Sequence, residues 1–495
     1  MVASSHERLT TQDSSFLAFE HRATPMHVAA IAIFEPSALA TSDGAVNAAR
    51  IAKHIASRLP QLPRYRRRLA QVPFTGQPIW IDDARFSLDW HLRRAALPRP
   101  GSPQALRDLV GRILSQRLER TRPLWEMWIV EGLADRRFAL IAKTHHSLVD
   151  GVAGANLLTS LLDRNPEPTT PLVTPWSPAP APGLFELLRE EAARGLMGVH
   201  TVLRATRDVA RDPRTWFTHA STAASAVTDA LAAAVRRPAP SVLNGPIGPH
   251  RRVAWLSLDL AAVKAVKDQL GGTVNDVVLA VVAGGLNCFF GAGRAWPTRL
   301  EYRVVVPVNM RAPGDLQAAN RVSAHFVSLP VAEHDPLRRY RQVRAQTEHA
   351  KQSHAAEGID LMTRVADQLG APWLTRFGVR LATDLHPYNL IVTNVPGPRF
   401  PLYLLGARLA EIYPHLPLFA HQGLGIAALS YCDRIGLGLV ADYERVPALG
   451  PLEDALAASF AELQDAARGM PLRPVARRRR RSAAAARERH EPGLR

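Results

Sequence analysis

The segment KTHHSLVDG, Lys143 to Gly151, sets two adjacent histidines ahead of an aspartate and a glycine. Histidine is the side chain best suited to general base work near neutral pH, because a reference pKa of about 6.5 lets it take and return a proton. To accept one from a hydroxyl it needs one ring nitrogen turned to the substrate and the other held by a partner. Zinc uses histidine pairs with an aspartate in other settings. Neighbouring side chains on an extended segment point to opposite sides, however, so His145 and His146 do not share one ion and no metal is expected. The same geometry argues against a hydrolase pairing of His146 with Ser147, and the chain shows neither a G-x-S-x-G elbow nor an Asp-His-Ser order. At the frequencies of His, Asp and Gly in this chain, H-H-x-x-x-D-G is expected roughly 0.002 times, so the motif is not accidental. Two readings of His146 stay open on the residues alone, a catalytic base or a buried ring at the end of a strand.

Elements able to hold such a loop are legible around it. FALIAKTHH is apolar at successive positions, as in a strand covered on both faces. Beyond Gly151, Val152, Leu157, Leu158, Leu161 and Leu162 recur at helical spacing, with Asp150 placed as N-cap, so the motif reads as a strand-loop-helix turn. Upstream, MHVAAIAIF, QPIWIDD and FSLDWHLRR read as strands and Asn47 to Leu59 as a helix. A proline-dense stretch, NPEPTTPLVTPWSPAPAP, marks a linker, followed from Leu184 to about Arg236 by Ala-rich helical sequence with one apolar face. RVAWLSLDL opens a second half with a helix at Ala261 to Leu270. Next comes GGTVNDVVLAVVAGGLNCFF, in which Thr273 and Asp276 form a capping pair. YRVVVPVNM, SAHFVSLPV, NLIVTNVPG and IGLGLVADY follow as strands. Strands and helices alternate in both halves, so the class is α/β or α+β with two mixed-sheet domains. The expected division is 1–175, a Pro-rich and helical linker at 176–250, a second domain at 251–470 and a basic tail at 471–495.

Composition bounds the rest. A chain of 495 residues, 47% hydrophobic and 21% charged, exceeds one hydrophobic core and is too apolar to be disordered. Nine of the arginines behind the formal charge of +17 lie in 473–495 against two glutamates, a run that attracts anionic lipid or any other polyanion. Two cysteines, Cys288 and Cys432, exclude a disulfide framework, and the polar start MVASSHERLTTQDSS lacks a signal peptide's apolar core. The longest apolar run, Val277 to Phe290, is interrupted by Asn287 and too short to span a bilayer, so it reads as a buried core helix and membrane attachment is expected to be peripheral.

HHSLVDG resembles the HHxxxDG motif of the bacterial wax ester synthase/diacylglycerol acyltransferase family, and more distantly that of other acyltransferases and peptide-synthetase condensation domains. The resemblance extends along almost the whole chain. It takes in PMHV at Pro25 to Val28, RPLWEMWIVEGL at Arg122 to Leu133, NDVVLA at Asn275 to Ala280, and VPVNMR at Val306 to Arg311. TNVPGP at Thr393 to Pro398, YPHLPL at Tyr413 to Leu418 and GLGIAALSY at Gly423 to Tyr431 continue it. Departures fall outside the histidine motif, at Ala319-Asn320, Cys432-Asp433 and Pro447-Ala448. Trp125, Trp128 and the Asn394 to Pro398 turn read as core aromatics and turn chemistry.

The resemblance implies two chloramphenicol-acetyltransferase-like α/β domains around a central tunnel and an acyl-CoA-dependent O-acyltransferase. His146 would be the base, with His145 and Asp150 shaping the loop. Asn275 would be a hydrogen-bond donor facing the same site from the second domain, and Gly151 and Asp276 would contact substrate. Long-chain acyl-CoA is then a co-substrate rather than a cofactor, and no cofactor is expected. On the same resemblance the acceptor would be diacylglycerol or a fatty alcohol, no specific nucleic acid would be bound, and the enzyme would work in the cytoplasm against the inner membrane face or a lipid droplet. Two other readings compatible with the motif are a lipid-binding homologue that has lost catalysis and an acyltransferase fed by a carrier-protein thioester or acting on a polyketide acceptor.

Overall fold

The computed structural model describes residues 6–470 except 37–38, 40, 42–44, 149–158, 168–174, most of 195–237, 292–301, 310–321 and most of 354–384. Asp150, Gly151, the helix expected after them except its last residues 159–162, and the Arg-rich tail therefore lie outside the described residues.

FALIAKTHH forms the strand Phe138–His145, which pairs antiparallel with His27–Phe34 on one side and Trp125–Glu131 on the other. Its side chains alternate between two covered faces. Phe138 and Leu140 enter a core with Ile51 and Ile55 of the helix Ala48–Arg58. Ala139 and Ile141 enter another with Leu106, Val110 and Ile113 of the helix Pro103–Ser115. Burial on both sides is why the strand reads as one apolar run.

This sheet has six strands in the order Tyr403–Leu404, Ala407–His415, His27–Phe34, Phe138–His145, Trp125–Glu131, Leu92–Ala96. Residues 403–415, grouped by sequence with the second domain, therefore pair in the first sheet: His415 lies opposite Ala29 and Leu409 opposite Phe34. The edge of His27–Phe34 is left unpaired by local hairpins and is closed by a strand from the far end of the chain. A second correction concerns FSLDWHLRR, where only Leu92–Ala96 is a strand and Leu88–His91 is one helical turn. That turn stacks the His91 ring on Trp125, 4.5 Å between centroids, with Nδ1 2.7 Å from the Trp125 carbonyl oxygen.

The second sheet runs Val322–Leu329, Tyr302–Asn309, Leu390–Pro396, Leu424–Tyr431, Arg434–Asp442, Arg251–Asp259, with Leu390–Pro396 parallel to both its neighbours. One face packs on the helices Leu260–Leu270, Val274–Gly291, Pro336–Gln352 and Gly450–Arg468. The other face carries Val305, Ile391 and Ala427 with Phe326 and Phe419 against them. Val274–Gly291 is the one described helix long and apolar enough to cross a membrane, and 67% of it is buried inside the protein. It is a core helix of the second sheet.

A third, three-stranded sheet, His6–Arg8, Pro78–Asp82, Arg67–Gln71, carries the linker, whose helical residues 184–194 pack on it through Leu187. The two large sheets meet across the helix Pro103–Ser115, which is sandwiched between Ile31 and Ile141 of one and Val253 and Trp255 of the other. Gly111 sets that spacing, since a Cβ there would sit 2.8 Å from the Arg251 carbonyl oxygen. Gly111→Val should cost about 1–3 kcal/mol, read as an earlier denaturant midpoint. An unchanged midpoint would show that the seam tolerates a wider gap.

Candidate active site

His145 is the last residue of its strand and only 1% exposed. Its Nδ1 accepts the backbone N–H of Ser147 at 3.1 Å and lies 2.7 Å from the Ser147 hydroxyl. An N–H pointing at Nδ1 leaves the ring proton on Nε2, which faces Glu20 Oε1 at 3.6 Å. His27, directly opposite His145 in the sheet, reaches the same Glu20 oxygen with Nε2 at 3.3 Å. Glu20 is itself buried and also takes Arg120 at 2.8 Å and Arg117 at 3.4 Å. The helix Thr11–Phe19, capped by the Thr10 side chain on the Asp13 amide, ends at Glu20 and so delivers this carboxylate beneath the loop.

Burial alone would raise the Glu20 carboxyl. The His27 contact, the charge of the two histidines and the Arg120 hydrogen bond more than reverse that and hold it well below the usual carboxylate range. Burial also pushes His145 well below its ordinary value and His27 from 6.5 to about 4. Buried His415 likewise drops to about 4. The folded pKa of these rings lies below the unfolded one, so the unfolded chain binds more protons in between and stability is lost as pH falls through that window. The melting temperature should fall steadily from pH 6.5 to 4, with His27 alone removing roughly 3 kcal/mol. Glu20 adds a further loss below the ordinary carboxyl range. A flat melting profile across the window would contradict this account.

His146 points the other way, as an extended chain requires. Its backbone N–H donates to the Met26 carbonyl at 2.8 Å, and its half-buried ring stacks on Phe16, 3.8 Å between centroids and 16° between planes. Phe16 in turn lies 6.5 Å from Phe419, and Phe19 5.1 Å from the same ring. Phe419, in the loop after Ala407–His415, packs with Leu416 against the inner face of the second sheet at Val305, Ile391 and Ala427. One imidazole therefore stands at the end of a continuous apolar, aromatic surface that spans the seam.

Ser147 does bond a histidine, but the one is His145 and the bond closes a turn with Ser147 0% exposed, so the pair offers no nucleophile to a substrate. Lys143, in the same motif, is also structural. Its fully buried ammonium donates to the carbonyls of Ile113 at 2.8 Å and Gln116 at 2.6 Å and to Glu126 at 2.9 Å. It thereby ties the histidine strand to the C-terminus of the seam helix, the end at which positive charge is favoured.

Thr273 and Asp276 form the expected capping pair: the Asp276 amide donates to Thr273 Oγ1 at 3.2 Å and the Thr273 amide to Asp276 Oδ2 at 2.7 Å. The other Asp276 oxygen accepts the Thr347 hydroxyl at 2.6 Å, so the fold engages both. Asn275, half-exposed, shares that first turn of the helix on the outer face of the second sheet. Among the described residues neither side chain makes a hydrogen bond to the histidine loop. The structure thus gathers His145 and His146 with Glu20, His27, Phe16 and Phe419. Sequence reasoning passed over the last four: PMHV hinted at His27, whereas nothing in the spacing of SSFLAFE marks Phe16 or Glu20.

Two mixed sheets joined across the helix Pro103–Ser115, with a histidine pair at the end of a central strand, are the architecture of a solved acyltransferase. The wax ester synthase/diacylglycerol acyltransferase from Marinobacter aquaeolei VT8 superposes with a TM-score of 0.64 at 28% identity, over 93% of this chain and 99% of that one. The family's catalytic domain, described as wax ester synthase/diacylglycerol acyltransferase, matches residues 9–278 and its C-terminal domain residues 318–464. A putative diacylglycerol O-acyltransferase of Mycobacterium tuberculosis is 33% identical over 474 residues, 94% of this chain and 91% of that protein. The O-acyltransferase WSD of Acinetobacter baylyi is 30% identical over 445 residues, 88% and 92% of the two chains. The chain belongs to the wax ester synthase/diacylglycerol acyltransferase family.

Proposed function

We propose that the enzyme transfers a long acyl chain from acyl-CoA to the free hydroxyl of diacylglycerol, making triacylglycerol, and that fatty alcohols serve as a second class of acceptor, giving wax esters. The observation that carries this reading is the position of His146: a polar ring capable of proton transfer, at the edge of an apolar lining built by Phe16, Phe419 and the inner face of the second sheet. An acyl chain fits that lining, and its thioester carbon would then lie beside the ring.

A thioester is already activated, so no acyl-enzyme is needed. The acceptor oxygen attacks the thioester carbon as His146 takes its proton. The tetrahedral intermediate collapses with loss of CoA thiolate, and the proton passes to that sulfur. The oxyanion needs a donor meanwhile. Asn275 is our candidate, with Asp150 anchoring the loop and Gly151 meeting substrate. Asp276, expected from the sequence to touch substrate, is instead buried and held by Thr273 and Thr347, so it fixes the helix turn that carries Asn275. His145, kept neutral by burial, turns Glu20 and its arginines into a rigid support beneath the base. Such substrates place the enzyme at the cytoplasmic face of a membrane or a lipid droplet.

An acceptor panel tests this directly. With labelled oleoyl-CoA, diolein and hexadecanol should both be acylated and free CoA should compete. Indifference to CoA would favour a carrier-protein donor, and no turnover on any alcohol would favour a lipid-binding protein without catalysis.

A further inference from the structure

The linker helix at 184–194 wears its polarity reversed. Three of its charged side chains face the protein: Glu190 meets His6 at 3.0 Å and Arg8 at 3.3 Å, Glu191 meets Arg8, and Arg194 donates to Gln77 at 3.2 Å. Glu186 clusters with His6 and Glu190 on the same side. Leu187 alone of its large apolar residues is buried, against Val72, Ile79 and Ile81. Phe185, Leu188, Ala192 and Leu196, spaced three and four apart, form the opposite stripe. Phe185 is 87% exposed and Leu196 72%.

The neighbouring hairpin adds a second apolar point. Phe74, at the turn between Arg67–Gln71 and Pro78–Asp82, is 91% exposed and held at φ 68, a left-handed conformation that costs an aromatic residue energy. The Arg194–Gln77 bond sets the C-terminal end of the helix beside this turn.

We propose that Phe74 and the Phe185–Leu188–Leu196 stripe together are the face that lies on an anionic lipid surface, a proposal that rests on the reading of diacylglycerol as substrate. Charge selects that occupant. Glu190 and Glu191 are turned inward onto His6 and Arg8, Arg189 is exposed beside the outward stripe, and the chain as a whole is formally +17. An apolar stripe flanked by a cation, on a chain of net positive charge, sinks a few ångströms into the headgroup boundary of an anionic leaflet, with aromatic rings at that depth.

Full-length protein is pelleted with phosphatidylcholine vesicles containing phosphatidylglycerol and diolein. The combined Phe74→Ser, Phe185→Ser and Leu196→Ser variant should need roughly tenfold more lipid for half-pelleting. It should also acylate vesicle-borne diolein more slowly, while keeping its melting temperature and its rate on a water-soluble short-chain alcohol. Arg189→Glu should weaken pelleting with anionic vesicles and leave neutral ones unaffected. Pelleting equal to that of the unsubstituted protein would overturn the proposal, as would a dimer that the triple variant converts to monomer, which would give the face to a second copy. Pelleting is read without turnover. A variant that loses it in an enzyme inactive on diolein would therefore sink the substrate reading and leave the docking face standing.

Discussion

His146→Ala should lose about 10²- to 10⁴-fold in transfer of labelled oleoyl from CoA to diolein, the range usual for removing a general base. The ring is half-buried and is tied to the fold by its stack on Phe16 and by a backbone bond to Met26 that alanine keeps. The variant should therefore melt close to the parent, and the loss should fall on turnover rather than folding. Ser147→Ala is the informative companion. Its hydroxyl is sealed against His145, so this variant should keep most of its activity. A dead Ser147→Ala enzyme with His146→Ala near normal would invert the assignment.

Lys143→Met should be the most destabilising single change in the motif, by about 3–5 kcal/mol. The substitution strips the buried carboxylate of Glu126 of its close partner, leaving Arg93 at 3.4 Å, itself 39% exposed, as its remaining cation. It also takes the donor from the carbonyls of Ile113 and Gln116, which are the final turn of the seam helix. Glu126→Leu together with Lys143→Met should recover part of the loss, because removing both charges costs less than stranding one. Denaturant unfolding of the two single variants and the double one measures the coupling. Additive losses would mean that the pair does not act as a unit.

Local chemistry was legible wherever residues close in sequence meet. The strand to His145, the Thr273–Asp276 cap and the core helix at Val274–Gly291 each depend on pattern within a few turns, and each stands where the pattern puts it. What escaped depends on distant partners. Glu20 looks like one acid in a polar stretch until Arg117, Arg120, His27 and His145 converge on it. Phe16 and Phe419, some 400 positions apart, are neighbours through the stacking of two elements that no periodicity links. Leu88–His91 alternates well enough for a strand and is turned into a helix by the seat it finds on Trp125.

The strand Ala407–His415 also sets an order of events during synthesis. Its partner His27–Phe34 leaves the ribosome about 370 residues earlier. At about 5–20 residues per second the wait is roughly 20–75 s. Throughout it, the nascent first sheet carries an apolar strand with one bare edge, the kind of edge on which other chains pair. The histidine loop thus sits in a sheet that closes only when nearly the whole polypeptide has been made, and truncations before residue 415 should aggregate rather than yield a working half.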